Sequence, residues 1–273
     1  MAKHDYKLLM IDIDGTLLNG QGEISAEDRE ALDMARDAGM QVCLSTGRAL
    51  TACLGIIDRL SLDNYHIFFD GALVSIPDQA EELYVQPISR KTVRQMVEFA
   101  HENGIDLELY STTQYFAERE TWSTEAHRQF FEFTPTITSF DALWEKERII
   151  KGGLVVTNPE EGTKAESFRR KFGDAVHFSQ ARTPAYPGVV FNNILAPDVS
   201  KGKALETLAV HLGVPLAEVA AVGDGTNDIS LLSSAGLGIA MGNAHDELKK
   251  VADHITLDVD HNGLAVAINK FLL

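Results

Sequence analysis

Apolar residues along this chain fall into two kinds of stretch: short, nearly continuous runs of strand length, and longer stretches with a helical period. Lys7 to Ile13 is a run of the first kind and ends at Gly15. Met40 to Ser45, His66 to Phe69, Glu218 to Val222 and Leu237 to Ala240 are similar. Runs without polar alternation suit parallel strands whose two faces are both covered by helices. Helical stretches lie between them. One is introduced by Ser25, with Asp28 three residues on, and runs to Gly39; another covers Ala49 to Leu60. Near the end, Ser200 caps a helix over Lys201 to Leu212 that stops at Gly213, Asp228 to Ala235 follows, and Gly263 to Phe271 closes the chain. Alternating strands and helices of this type predict a doubly wound, mainly parallel α/β sheet.

The middle of the chain has a different pattern. A helix over Ser89 to Asn103, ended by Gly104, is followed by short alternating strands at Ile105 to Tyr110 and Gln114 to Ala117. An aromatic helix near Trp122 to Phe131, a strand at Ile149 to Thr157, a helix at Glu160 to Lys171 and strands near Ala175 to Ser179 and Val189 to Leu195 complete it. Prolines stand at both margins, Pro77 and Pro87 before, Pro184 and Pro187 after. The expected organisation is a core in two pieces, residues 1–82 and 190–273, with an α+β domain inserted over 83–189.

Composition agrees with an ordinary globular chain: 273 residues, 45% hydrophobic and 23% charged. The net charge is −16, and its distribution sharpens the division. From Leu83 to Val189 there are 13 basic and 15 acidic residues; the remainder carries 11 and 25. An acidic core disfavours nucleic acid and anionic membrane as partners. No window offers the roughly 20 apolar residues of a membrane span, and the first residues lack the roughly 7–15-residue apolar stretch of an export signal. Two cysteines, Cys43 and Cys53, suit small buried hydrophobes in a reducing compartment, and the expected location is cytoplasmic.

Several acidic residues stand where open α/β sheets bind ligands, outside the carboxyl ends of strands. Asp12 and Asp14 end the first run, Asp70 the third, and Asp224 precedes Asp228 on a later one. Positions i and i+2 of a strand face the same way, so Asp12 and Asp14 share one site if the strand persists that far. Two like charges about 4 Å apart repel by about 4 kcal/mol at an effective dielectric near 20. A hard divalent cation offsets this with all-oxygen ligands, and Mg²⁺ suits one or two carboxylates plus a substrate phosphate. Asp also serves as a turn former or helix cap, which is the simpler account of Asp70 alone. Lys201 is unfavourable at a helix start unless an anion is beside it, although a solvated surface lysine accounts for it equally well. Thr46-Gly47, at another strand end, offers a hydroxyl and bare amides to a phosphate.

Four motifs in order resemble those of the haloacid dehalogenase-like (HAD) hydrolases: Asp12-Ile13-Asp14-Gly15-Thr16, Thr46-Gly47-Arg48, Ser200-Lys201-Gly202 and Gly223-Asp224-Gly225-Thr226-Asn227-Asp228. The pattern is similar to the Cof-type branch with a type IIB cap, and Ala240-Met241-Gly242-Asn243-Ala244 and the segment Ala252 to Gly263 resemble that branch too. The resemblance implies a Mg²⁺-dependent phosphomonoesterase acting on a small phosphorylated metabolite, such as a sugar phosphate. Asp12 would be the nucleophile forming an aspartyl phosphate, and Asp14 the general acid and then base. The Asp12 and Asp224 carboxylates and the Asp14 carbonyl would hold the metal, with Asp228 in support. Thr46, Gly47, Lys201, Asn227 and the Ile13 amide would bind the phosphoryl group. The inserted domain would close over the site, with some of Arg90, Arg94, Arg119, Arg128 and Arg182 contacting substrate. Two positions depart from the branch: Asp70, where Asn is usual, and Asn193, where Glu is common. Phosphomutases share this core and cap type, and a non-catalytic phosphometabolite-binding regulator is a third reading. The oligomeric state is left open.

Overall fold

The computed structural model describes residues 6–79, 81–130, 134–181, 186 and 188–273. Phe131, Arg182, Pro184 and Pro187, all named above, lie outside them. The chain forms two compact units: Met1–Gly47 with Gly55–Tyr84 and Ser200–Leu273, and Arg48–Leu54 with Val85–Val199. The return to the first unit falls at Ser200 and not at 190, because Val190–Leu195 pairs along both edges within the second unit, with His177–Ala181 and Lys151–Val156.

The first unit is built on a parallel sheet in the order His254–Ile255, Leu237–Ala240, Val219–Gly223, Leu8–Ile11, Gln41–Leu44. A bridge between Ser45 and Ile67 brings His66–Phe68 alongside its last strand. Leu8, Leu9, Met10 and Ile11 are all fully buried, as a continuous apolar run requires when both faces of a sheet are covered. The helix Lys201–Leu212 begins and ends where Ser200 and Gly213 place it: the Ser200 hydroxyl accepts from the Lys203 N–H at 3.2 Å, and Gly213 is left-handed. Gly202 lets this helix press on its neighbour, since a Cβ there would lie 2.4 Å from the Ser230 carbonyl oxygen. Lys201, the residue before Gly202, is fully buried.

Ser25 caps the helix Ala26–Asp37, accepting from the Asp28 N–H at 3.0 Å. The reciprocal half of a capping box is absent, because the Asp28 carboxylate accepts from the Ala265 N–H at 2.7 Å. It thereby fastens the N-terminal turn of the last helix, Gly263–Phe271, to a helix 237 residues earlier. Short elements that periodicity does not announce include the strands Leu73–Ile76 and Glu81–Val85 and the helix Asp246–Val251.

Buried His66 carries a separate consequence. Its Nδ1 accepts from the Leu44 N–H at 3.1 Å, which requires the neutral ring, and burial lowers its pKa from 6.5 to about 4. The stability of the neutral form is complete above pH 6.5 and is lost as pH falls through about 4. The full loss is about 3 kcal/mol. Urea unfolding at pH 7 and pH 4.5 is expected to show that slope in the parent and a shallower one in His66→Gln. Equal slopes in both would remove His66 as the cause.

The second unit carries a six-stranded sheet in the order His177–Ala181, Val190–Leu195, Lys151–Val156, Glu108–Tyr110, Tyr115–Ala117, Thr136–Ile137, antiparallel except for its last pair. The helix Arg90–Asn103 buries Val93, Met96, Val97 and Ala100, the i, i+3, i+4, i+7 face of an amphipathic helix. Phe99 of that helix meets Phe168 and Phe172 of the helix Pro159–Phe172, edge to face. The buried Glu108 accepts hydroxyl hydrogen bonds from Tyr110, Tyr115 and Ser123 at 2.5–2.8 Å, which offsets the cost of removing its carboxylate from water.

Candidate active site

The first strand stops at Ile11, two residues before the apolar run does, so Asp12 and Asp14 do not face the same way by strand alternation. Asp12 keeps one ladder bond, its N–H donating to the Val222 carbonyl at 3.0 Å. The chain then turns: Leu17 and Leu18 donate back to the Ile13 carbonyl, and Gly15 takes a φ of +83°. A Cβ on Gly15 would lie 2.3 Å from an Asp224 carboxylate oxygen, so the bare backbone is what lets Asp224 approach. Asp14 emerges exposed on this turn and the Ile13 side chain is buried beneath it.

Carboxylates from two parts of the chain converge here. Asp12, Asp224 and Asp228 each present an oxygen within 4.8 Å of the others. Lys201 reaches two of them and has no exposed surface, which excludes the solvated surface lysine. Its Nζ donates to Asp12 Oδ1 at 2.6 Å, Asp228 Oδ1 at 2.6 Å and the Ser45 carbonyl at 2.9 Å. An ammonium has three hydrogens, and three protein acceptors take them. The anions that a lysine at a helix start calls for are therefore supplied by the protein itself. Asp228 is equally occupied: its Oδ2 accepts the N–H groups of Asp224 and Gly225 at 3.1 and 2.9 Å.

Charge is not balanced by this arrangement. Burial, then the nearby Asp228, pushes the Asp12 carboxyl well above the usual range, against the pull of Lys201. Burial and Asp228, with Asp14 adding, push Asp224 up to about 7. Burial alone would discharge Lys201, but Asp12, Asp228 and Asp70 together hold its pKa above the ordinary value. Three carboxylates around one ammonium, all hard oxygen donors, fit a divalent cation, which would favour the charged forms that burial opposes. Asp12 and Asp224 are the two with bonding capacity to spare for one.

Thr46 and Gly47 follow the strand Gln41–Leu44, and Thr46 is buried with its N–H on the Ile67 carbonyl at 2.9 Å. Asn227 is half-buried and its Nδ2 donates to Asp70 Oδ1 at 2.8 Å. Asn243 is a further member of the site, to which periodicity and charge assign nothing. Its Nδ2 donates to the Gly15 carbonyl at 2.8 Å and to Asp224 at 3.1 Å, and its Oδ1 accepts from the Val259 N–H at 2.9 Å. Its signals in the sequence are the stretch Ala240 to Ala244, which resembles the branch, and its place just past the strand Leu237–Ala240, at the same sheet end as Asp12 and Asp224.

Three of the five arginines named as candidate substrate contacts have acidic partners within their own unit. Arg94 pairs with Glu98 at 2.8 Å, and Arg119 grips Asp106 with two bonds of 2.7 and 2.9 Å. Arg128 pairs with Glu120 and Glu125, Arg90 is exposed at a helix start, and Arg182 lies outside the described residues. Asn193 is buried in the second sheet, its Nδ2 donating to the Ser179 hydroxyl at 3.3 Å.

A haloacid dehalogenase-like hydrolase profile matches residues 9–268, and the chain belongs to that family. Phosphatase YwpJ of Bacillus subtilis is 29% identical over 95% of this chain and 97% of its own. The 5-amino-6-(5-phospho-D-ribitylamino)uracil phosphatase YcsE of the same organism is 31% identical over 98% and 97%. Among solved structures, the HAD subclass IIB sugar phosphatase BT4131 superposes with a TM-score of 0.79 at 27% identity, covering 97% of this chain and 98% of that one. The chain is accordingly a phosphatase of the Cof type with the α/β fold of that superfamily. Among the described residues no helix is long and apolar enough to cross a membrane.

Proposed function

We propose that this phosphatase is a Mg²⁺-dependent phosphomonoesterase that hydrolyses a small phosphorylated metabolite, with a sugar phosphate favoured, through an aspartyl phosphate on Asp12. The support comes above all from the Asp12 carboxylate, held by the buried Lys201 ammonium at 2.6 Å within a cluster that includes Asp224 and Asp228. A carboxylate oxygen of Asp12 bonds to phosphorus as the ester P–O bond breaks, and Asp14 gives its proton to the departing alcohol oxygen. Asp14 then takes a proton from water, whose oxygen bonds to phosphorus and releases inorganic phosphate and the Asp12 carboxylate. The exposure of Asp14 suits both exchanges, since it keeps contact with solvent.

The metal would be held by the Asp12 and Asp224 carboxylates and the Asp14 backbone carbonyl, with Asp228 in support, and would neutralise charge on the phosphoryl oxygens. Thr46, Gly47, Asn227 and the Ile13 amide are assigned to the phosphoryl group. Lys201 orients Asp12 and serves a phosphoryl oxygen by exchanging one of its three bonds. The inserted unit is assigned the role of a type IIB cap that selects the substrate; the names of YcsE and BT4131 favour a small phosphorylated compound. A cytoplasmic location belongs to the same reading and agrees with two buried thiols, Cys43 and Cys53.

Exhaustive treatment with EDTA is expected to reduce hydrolysis of p-nitrophenyl phosphate at least about 100-fold, and added Mg²⁺ to restore it and raise the melting temperature. Turnover that survives thorough chelation unchanged would overturn the metal assignment.

A further inference from the structure

Between the strands His66–Phe68 and Leu73–Ile76 the chain passes through three consecutive residues of positive φ: Phe69 at 51°, Asp70 at 54° and Gly71 at 105°. Left-handed backbone is unfavourable for a side chain as large as Phe, and such strain persists only where surrounding contacts impose it. The contacts here reach three other segments. The Asp70 N–H donates to the Thr46 carbonyl at 3.0 Å. A Cβ on Gly71 would lie 2.3 Å from the Ser200 carbonyl oxygen, so the turn packs directly on the start of the Lys201 helix. The Asp70 carboxylate lies over Gly47, where a Cβ would be 2.8 Å from Oδ1, and the same oxygen accepts the Asn227 side-chain amide at 2.8 Å. Asp70 is only 5% exposed.

Each segment the turn touches carries a residue assigned to the phosphoryl group: Thr46-Gly47, Lys201 and Asn227. A carboxylate accepts and never donates, so it dictates which end of the Asn227 amide faces it. Only the nitrogen can. An asparagine at position 70 could accept or donate and would leave that choice open. We infer that Asp70 is a positioning residue of the phosphoryl pocket, its carboxylate fixing the Asn227 amide so that the second N–H is presented to a phosphoryl oxygen. The inference rests on the function proposed above. It also explains why an extra negative charge is tolerated beside an anionic substrate: it acts through Asn227 and is offset in part by attraction to the Lys201 ammonium.

The test is a double-mutant cycle read by competitive inhibition with inorganic phosphate. Asp70→Gly removes the carboxylate while suiting the positive φ, so it does not add backbone strain. Asp70→Gly and Asn227→Ala are each expected to raise the inhibition constant about tenfold. The double variant is expected to raise it about tenfold as well, not about a hundredfold, because both changes remove the same amide contact. Asp70→Asn, which keeps the backbone preference but leaves the orientation of the Asn227 amide open, is expected to raise the constant as well, by about threefold or more but less than Asp70→Gly; a constant equal to the parent's would show that the carboxylate does not fix that amide. An unchanged constant in Asp70→Gly, or losses that multiply in the double variant, would overturn the inference. The parent's chelator-sensitive hydrolysis of p-nitrophenyl phosphate and its inhibition by phosphate are measured first. Their absence removes the proposed function and this inference with it, whereas their presence with multiplying losses removes the inference alone.

Discussion

Asp12→Asn is expected to lower hydrolysis of p-nitrophenyl phosphate by about 10⁴-fold or more, roughly 5.5 kcal/mol of transition-state stabilisation. The substitution preserves shape and removes the one feature that covalent attack needs, an anionic oxygen. Stability should move the other way or not at all. The Asp12 carboxylate is 6% exposed and crowded by Asp228 and Asp224, so the folded protein holds its charge at a cost. An amide lifts that cost while Asp228 still accepts from Lys201. Steady-state kinetics and a melting curve on the same preparation check both halves. Acid quench during turnover should trap phosphate on the parent and not on the variant. A rate near the parent's would end the covalent mechanism.

Lys201→Met is expected to cost about 3–5 kcal/mol of stability, because it leaves two buried carboxylates facing each other without their shared ammonium. For a chain of this size that is a fall in melting temperature of about 6–20 °C. Activity should be lost with it, since Asp12 loses the 2.6 Å bond that orients it. Mg²⁺ should recover part of the lost melting temperature, because a cation in the carboxylate cluster takes over some of the offset. Lys201→Arg should not restore the parent: three acceptors converge on one point, and a planar guanidinium cannot place its donors as a tetrahedral ammonium does. A melting temperature within about 1 °C of the parent in Lys201→Met would show that the ammonium is not what holds these carboxylates together.

The two residues differ in how far the linear chain reveals them. Asp12 is legible because it lies near the carboxyl end of a nearly continuous apolar run, and runs of that kind become buried parallel strands whose carboxyl ends face the ligand side. Asp224 and Thr46-Gly47 are legible for the same reason, and the helix Lys201–Leu212 because its cap and its terminal glycine are local signals. Legibility fails where the physics is not local. The first strand stops at Ile11 because the turn that follows is held by bonds to Ile13 and Leu18 and by room beside Asp224, neither of which leaves a mark in periodicity. Asp28 sits three residues after a cap yet spends its carboxylate on Ala265. Thr136–Ile137 and His254–Ile255 are too short for any period to show.

Order along the chain therefore determines the fold class, the ends of the core strands and the set of acidic and hydroxyl groups available at them, since strand period, capping and glycine punctuation act over a few residues. Tertiary structure alone decides that Lys201 is buried and divided among Asp12, Asp228 and Ser45, that Asp14 faces outward, that Asn243 braces Asp224, and that Asp70 meets Asn227. The contacts in that set join separate segments of the chain, and the close approaches at Gly15, Gly71 and Gly202, which a Cβ would prevent, likewise bring together segments that are not neighbours in sequence.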